Sequence, residues 1–196
     1  MPGTLSPDIY IRGDTGAMRQ TDGTSDVPVN GWLGGIVYAN TAASTAHTNT
    51  LTEALFSTQY SIPANTLIAG SVIRLRFQGI ATATNSTDTL THVLYIGGLA
   101  GTALMSGTAT DVADNNIFCG EFTLVVRTSG ASGTFVGFGT HNKVPAASGT
   151  ATNVCVVLGS TVIDTTAAQV VGVGADWSVA HAGNSCRLDV FTVEIY

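Results

Sequence analysis

The chain is expected to be all-β: an antiparallel jelly-roll-like β-sandwich of about eight strands behind an extended N-terminal arm. Three observations predict this. Several segments alternate apolar and polar residues with period two, as a half-buried strand requires. Val- and Thr-rich runs are frequent, and β-branched side chains fit a pleated surface. No segment joins helical spacing of apolar residues to good helix formers over ten residues. Strands without intervening helices pair antiparallel.

Residues 1–31 read as an arm and residues 32–196 as a single sandwich domain. In the arm, Asp8, Asp14, Asp22 and Asp26 stand with Arg12 and Arg19 among Gly, Thr, Ser and Pro. Only Ile9-Tyr10-Ile11 is strongly apolar, too little to order the segment alone. The arm is therefore expected to lie on a partner, with Ile9, Tyr10, Ile11, Arg12, Asp14 and Arg19 as contact residues. Arg12-Gly13-Asp14 reads as a chance triplet within it.

The strands follow from Leu33–Tyr38 onward. After a loop at Asn40–Thr50 that holds His47, Glu53–Ile62 turns Phe56, Tyr60 and Ile62 inward. Pro63-Ala64-Asn65 and Leu67-Ile68-Ala69-Gly70 turn the chain. Ser71–Gln78 then sets Ile73, Leu75 and Phe77 on one face, and Arg74, Arg76 and Gln78 on the other. Leu90–Ile96 follows a polar loop and ends at Gly97-Gly98. Ala100–Asn116 reads as a small-residue loop with an acidic tip. Ile117–Thr128 and Thr134–Gly139 form a hairpin, with Phe118, Phe122, Leu124 and Val126 on one face. His141–Thr152 reads as another loop. Val154–Leu158, Ala168–Val173 and Arg187–Tyr196 complete the set, the last with Phe191, Val193 and Ile195 inward and paired to the chain end.

Only 10% of residues are charged, against about 25% in a typical soluble domain. No apolar run approaches the roughly 18 residues of a spanning helix. The surface is thus built from Thr, Ser, Asn, Gln and Gly, which suits a protein seated against other protein. With net charge -6 and Lys143 as the single lysine, phosphate neutralisation is out of reach, so neither nucleic acid nor an anionic membrane is an expected partner. Cys119, Cys155 and Cys186 form no CxxC pair and read as buried free thiols. The start, MPGTLSPDIYIRGD, has no basic-then-apolar signal pattern. Free thiols and that start predict folding in a reducing cytoplasm.

Candidate chemistry is sparse. His47, His92, His141 and His181 form no metal-ligand spacing; His92 shares a face with Leu90, Leu94 and Ile96 and reads as a core residue, the other three as loop residues. Gly183-Asn184-Ser185-Cys186 lacks the context of a nucleophile elbow. Asp111, Asp114, Asn115 and Asn116 match no calcium loop. No catalytic, cofactor or metal site is expected, and the chain reads as a non-enzyme.

Two stretches carry a likeness: SIPANTLIAGSVIRLRFQGIAT with TDTLTHVLYIGG at roughly 58–98, and GNSCRLDVFTVEIY at the end. Together they resemble virion structural proteins of tailed bacteriophages, of the capsid decoration or cement type. That resemblance implies a jelly-roll-like sandwich, no catalysis, the major capsid protein as partner, a homo-oligomer with a trimer favoured, and a place on the capsid surface after folding in the host cytoplasm. It also gives Arg74 and Arg76 a meaning. Two arginines side by side in a charge-poor chain are candidates for an intersubunit ion pair, with a neighbour's acidic arm as partner. Two alternatives stand beside it. One is a tail or head fibre module binding a host glycan through Trp32, Trp177 and the loops at Asn40–Thr50 and Ala100–Asn116. The other is a single jelly-roll major capsid protein.

Overall fold

The computed structural model describes residues 8–11, 18–21, 26–28, 35–83, 87–107, 109–112, 114–144 and 152–196, with side chains described from residue 35 onward except at 110, 144 and 152. Every regular element among them is a strand. The arm, expected to be extended, holds β1 (Asp8–Ile11), β2 (Met18–Thr21) and β3 (Asp26–Pro28), which pair antiparallel as their own three-stranded sheet. Ile9, Tyr10 and Ile11 lie on β1, and Tyr10 stands opposite Arg19 of β2. Arg12, Asp14 and Trp32 fall outside the described residues.

The rest is a sandwich, as expected. The larger sheet has seven strands: β13 (Thr152–Ile163), β12 (Gly133–Val144), β11 (Asn116–Thr128), β7 (Val72–Thr82), β15 (Ser185–Ile195) and β4 (Gly35–Ala39) in that order, with β5 (His47–Thr48) also on β15. The smaller sheet has five: β10 (Thr110–Asp111), β8 (Thr89–Ile96), β14 (Gln169–Trp177) and β6 (Ala54–Ile62), with β9 (Thr102–Ser106) also on β8. The chain changes sheet between β5 and β6, β6 and β7, β7 and β8, β10 and β11, β13 and β14, and β14 and β15. This repeated crossing gives the jelly-roll-like topology, all antiparallel.

Alternation read from the residues matches burial. Ile73, Leu75 and Phe77 of β7 and Phe118, Phe122, Leu124 and Val126 of β11 face inward, with Phe191, Val193 and Ile195 of β15. They meet Phe56, Ile62, Leu90, Leu94, Ile96, Val171, Val173 and Trp177 of the smaller sheet. Burying each such side chain contributes about 1.5–3 kcal/mol. The turns also match: Asn65 takes φ 60° and Gly70 φ 93°, conformations that Asn and Gly tolerate best. Tyr196 exchanges two backbone hydrogen bonds with Val72, each 2.9 Å, so the last strand is paired to its end.

Several expectations are corrected. His141–Val144 is strand, the end of β12, not loop. Its inward positions are Gly137, Gly139, His141 and Lys143, so no apolar period marks it. Ala100–Asn116 is not merely polar: β9 buries Leu104 and Met105, and Val112 is buried beyond β10. The twelve sandwich strands among the described residues exceed the eight or so expected, because β5, β9 and β10 are too short to show a period. All three thiols are free, but only Cys186 is buried; Cys119 is half-buried and Cys155 exposed. Cys155 faces outward from the terminal strand of its sheet.

Candidate functional site

The outer face of the seven-stranded sheet carries the densest charge among the described residues. Antiparallel register puts Arg74 opposite Glu194 and Arg76 opposite Glu121. Arg74 Nη1 lies 3.5 Å from Glu194 Oε2, Arg76 Nη1 3.5 Å from Glu194 Oε1, and Arg76 Nε 3.7 Å from Glu121 Oε2. Tyr196 donates its phenol proton to Glu194 Oε2 at 2.7 Å, and Arg74 lies over its ring at 5.9 Å. Glu194 is nearly covered while both arginines stay substantially exposed. The structure therefore brings Arg74 and Arg76 together, as expected, but supplies counter-charges from their own chain. Glu194 was legible only as an alternating position of the last strand; its role as a shared counter-ion needed the β7–β15 register.

Beside this cluster the sheet dips into a shallow open depression bordered by Arg76, Gln78, Glu121, Thr140, Asn142 and Val190. Apolar side chains flank the charged centre. Phe138, Val157 and Val162 are exposed on β12 and β13, and Ile36 and Val190 on β4 and β15. The face is thus internally neutralised in the middle and apolar towards both sides. Such a surface can bury area against protein without stranding a charge.

A second cluster lies inside the sandwich. The His92 ring stacks 3.7 Å from that of Phe118 and lies tilted 5.6 Å from that of His141, which in turn stacks on Phe77 at 5.9 Å. Both ring nitrogens of His92, and Nε2 of His141, are buried without a hydrogen-bond partner. Burial first, then the Lys143 charge, holds His92 well below the usual histidine range and His141 at about 4. Lys143 donates to the Leu90 carbonyl. Burial pulls its ammonium down to about 8, against the opposing pull of Cys186 and Asp111. His92 is a core residue as expected. His141 is one too, not a loop residue, and the glycine at 107 makes room for it: a Cβ there would stand 2.7 Å from His141 Cε1.

The remaining candidates separate. Among the described residues no three His, Cys, Asp or Glu side chains gather as a metal site. Asp114 accepts from Thr82 Oγ1 at 3.2 Å and Asn115 N donates to the same oxygen at 3.2 Å, so the acidic tip is tied to the end of β7. Glu53 accepts from Tyr95 at 2.8 Å beside the smaller sheet, and Glu121 pairs with Arg76 on the larger one. Trp177 is 1% exposed and has no face to offer a sugar. His181 caps its own turn, accepting from Gly183 N at 3.1 Å. Among the described residues no helix is long and apolar enough to cross a membrane.

No family model matches the chain, and no curated protein matches it. Solved structures with a similar sandwich include lectin I from Ulex europaeus in complex with the methyl glycoside of alpha-L-fucose, at 10% identity and TM-score 0.38, covering 97% of this chain and 90% of that one. Another is lectin UEA-II complexed with galactose, at 9% identity and TM-score 0.38, covering 96% and 90%. At that distance the similarity concerns the arrangement of strands.

Proposed function

We propose that this chain is a virion structural protein of the capsid decoration type. It folds in a host cytoplasm, forms a closed homo-oligomer and sits on the outside of a head, stabilising contacts between major capsid subunits. The observation that carries the reading is the outer face of the seven-stranded sheet, neutralised by its own Arg74, Arg76, Glu121 and Glu194 and flanked by exposed apolar residues. The charge-poor composition and the resemblance of residues 58–98 and of the last strand to phage virion proteins support it. A cement protein acts by burying area across joints, and stable interfaces need about 1,200–2,000 Å² each; many copies multiply that.

Electron microscopy of the parent particle, with protein copy number measured on the same preparation, tests the reading. The expected result is density for this sandwich on the outer shell at a copy number set by the capsid lattice. A copy number matching tail symmetry, with no density on the shell, overturns it. Shells containing this chain as their one abundant protein would instead make it the capsid lattice itself.

A further inference from the structure

The terminal strand of the seven-stranded sheet has the composition of an interior strand. β13 reads TNVCVVLGSTVI, with no charge and no proline in its twelve residues. Val154-Cys155-Val156-Val157-Leu158 is an unbroken apolar run, the pattern of a strand covered on both faces with neighbours on both sides. Here one side pairs with β12, and among the described strands nothing pairs with the other. Outward, Val157 is 77% exposed. Inward, Val156 and Leu158 pack on the core but are only partly buried. Natural sheets blunt such an edge with charge, proline, a bulge, short length or a covering segment. The other long edge, β6, is managed that way: Glu53 and Pro63 bound it, and Thr45 N donates to Ser57 Oγ at 2.8 Å, laying a loop along it. β4, at the far edge of the larger sheet, is only five residues long. In β13 the register shifts beyond Leu158, which leaves Thr152–Leu158 as the straight, unprotected part.

We infer that β13 pairs antiparallel with β13 of a second copy about a two-fold axis through Val156, joining the two larger sheets into one. Three features select a second copy as the occupant. An open ladder of backbone donors and acceptors is completed by another strand, not by a helix or a flat surface. The apolar run is self-complementary about that axis: Val154 meets Leu158, Cys155 meets Val157, and Val156 meets itself, so no polar side chain lies opposite an apolar one. Charge decides the rest. Two chains of net charge -6 repel, and an uncharged strand is where they approach with least cost. The isologous geometry is the commonest closed symmetry and replaces the trimer implied by the phage resemblance. The inference does not depend on a place in a virion, because the isolated chain carries the whole interface.

Sedimentation of the full chain tests it. The wild type should sediment at twice its 20.0 kDa mass at tens of micromolar. Val157→Lys, an outward substitution that leaves the core untouched, should weaken self-association on the order of tenfold or more by setting charges into the joint, with an unchanged circular dichroism spectrum. Crosslinking reads the register. Under copper-phenanthroline oxidation, Val157→Cys should give a covalent dimer through Cys155 of the other copy, and adding Cys155→Ser should remove it. A monomeric wild type, a Val157→Lys chain that dimerises as before, or crosslinking that is indifferent to Cys155 each overturns the inference. None of these outcomes bears on whether the chain belongs to a capsid.

Discussion

His92 and His141 lie between two sheets with no acceptor or donor for three of their ring nitrogens. A buried neutral imidazole is tolerated; a buried imidazolium beside Lys143 is not. Both folded-state pKa values lie below the ordinary 6.5, so below that value the unfolded chain binds more protons than the folded one. The stability in question is therefore fully present above about pH 6.5 and is lost as pH falls toward about 4. For His141 alone the fall from 6.5 to about 4 corresponds to roughly 3 kcal/mol lost near the lower end. Urea unfolding across that range should show the decline, and a His92→Leu/His141→Leu chain should show a flatter profile. An identical decline in the double variant would place the acid sensitivity elsewhere. Arg74 and Arg76 belong to the same scale. Their side-by-side placement was legible from period two, but their counter-charge was not, because Glu194 lies more than a hundred residues away in sequence. Charge reversal at both would strand that covered carboxylate, so it would read fold stability as well as any interface.

At the scale of elements, glycines and aromatics divide the inner face between them. A Cβ at Gly79 would stand 2.1 Å from the Arg187 carbonyl oxygen and 2.3 Å from Phe118 Cζ, and one at Gly137 2.5 Å from Phe122 Cε1. These strands exchange side-chain volume for rings laid across them, which is why their alternation looks interrupted in sequence. Gly79→Ala should cost about 1–3 kcal/mol, the usual range for overpacking. Gly159→Ala, where a Cβ meets nothing within 4 Å, should cost little. Thermal unfolding of the pair checks this, and equal midpoints would mean that Phe118 and the Arg187 backbone both yield at small cost. The same exchange explains the missed end of β12: with Gly137, Gly139, His141 and Lys143 inward, a buried strand loses the apolar period by which strands are recognised.

For the whole molecule, the buried core among the described residues runs from Phe56 onward with Tyr38 packed against it, whereas β1–β3 pair in a sheet of their own. Deleting residues 1–31 should therefore leave cooperative unfolding of the sandwich intact while weakening assembly on a particle. Loss of cooperative unfolding in the truncated chain would show that the arm is part of the core. At this scale the low charge fits the proposed contact role. A sandwich of this size buries enough apolar surface to fold without disulfide or metal, so its exterior is free to be neutral and to serve contact.

The residues by themselves determined the strand class, the inward faces of β7, β11 and β15, the turns at Asn65 and Gly70, and the absence of any recognisable catalytic spacing. These are local properties: side-chain alternation and allowed dihedrals act over a few residues. Only the tertiary structure decided which strands neighbour one another. From that came the shared role of Glu194, the ring column through His92 and His141, the burial of Trp177, and the position of the apolar β13 at an open edge. Those features arise where strands far apart in sequence are brought side by side. Register and sheet order depend on how all the inward faces fill one core together, and no single segment carries that information.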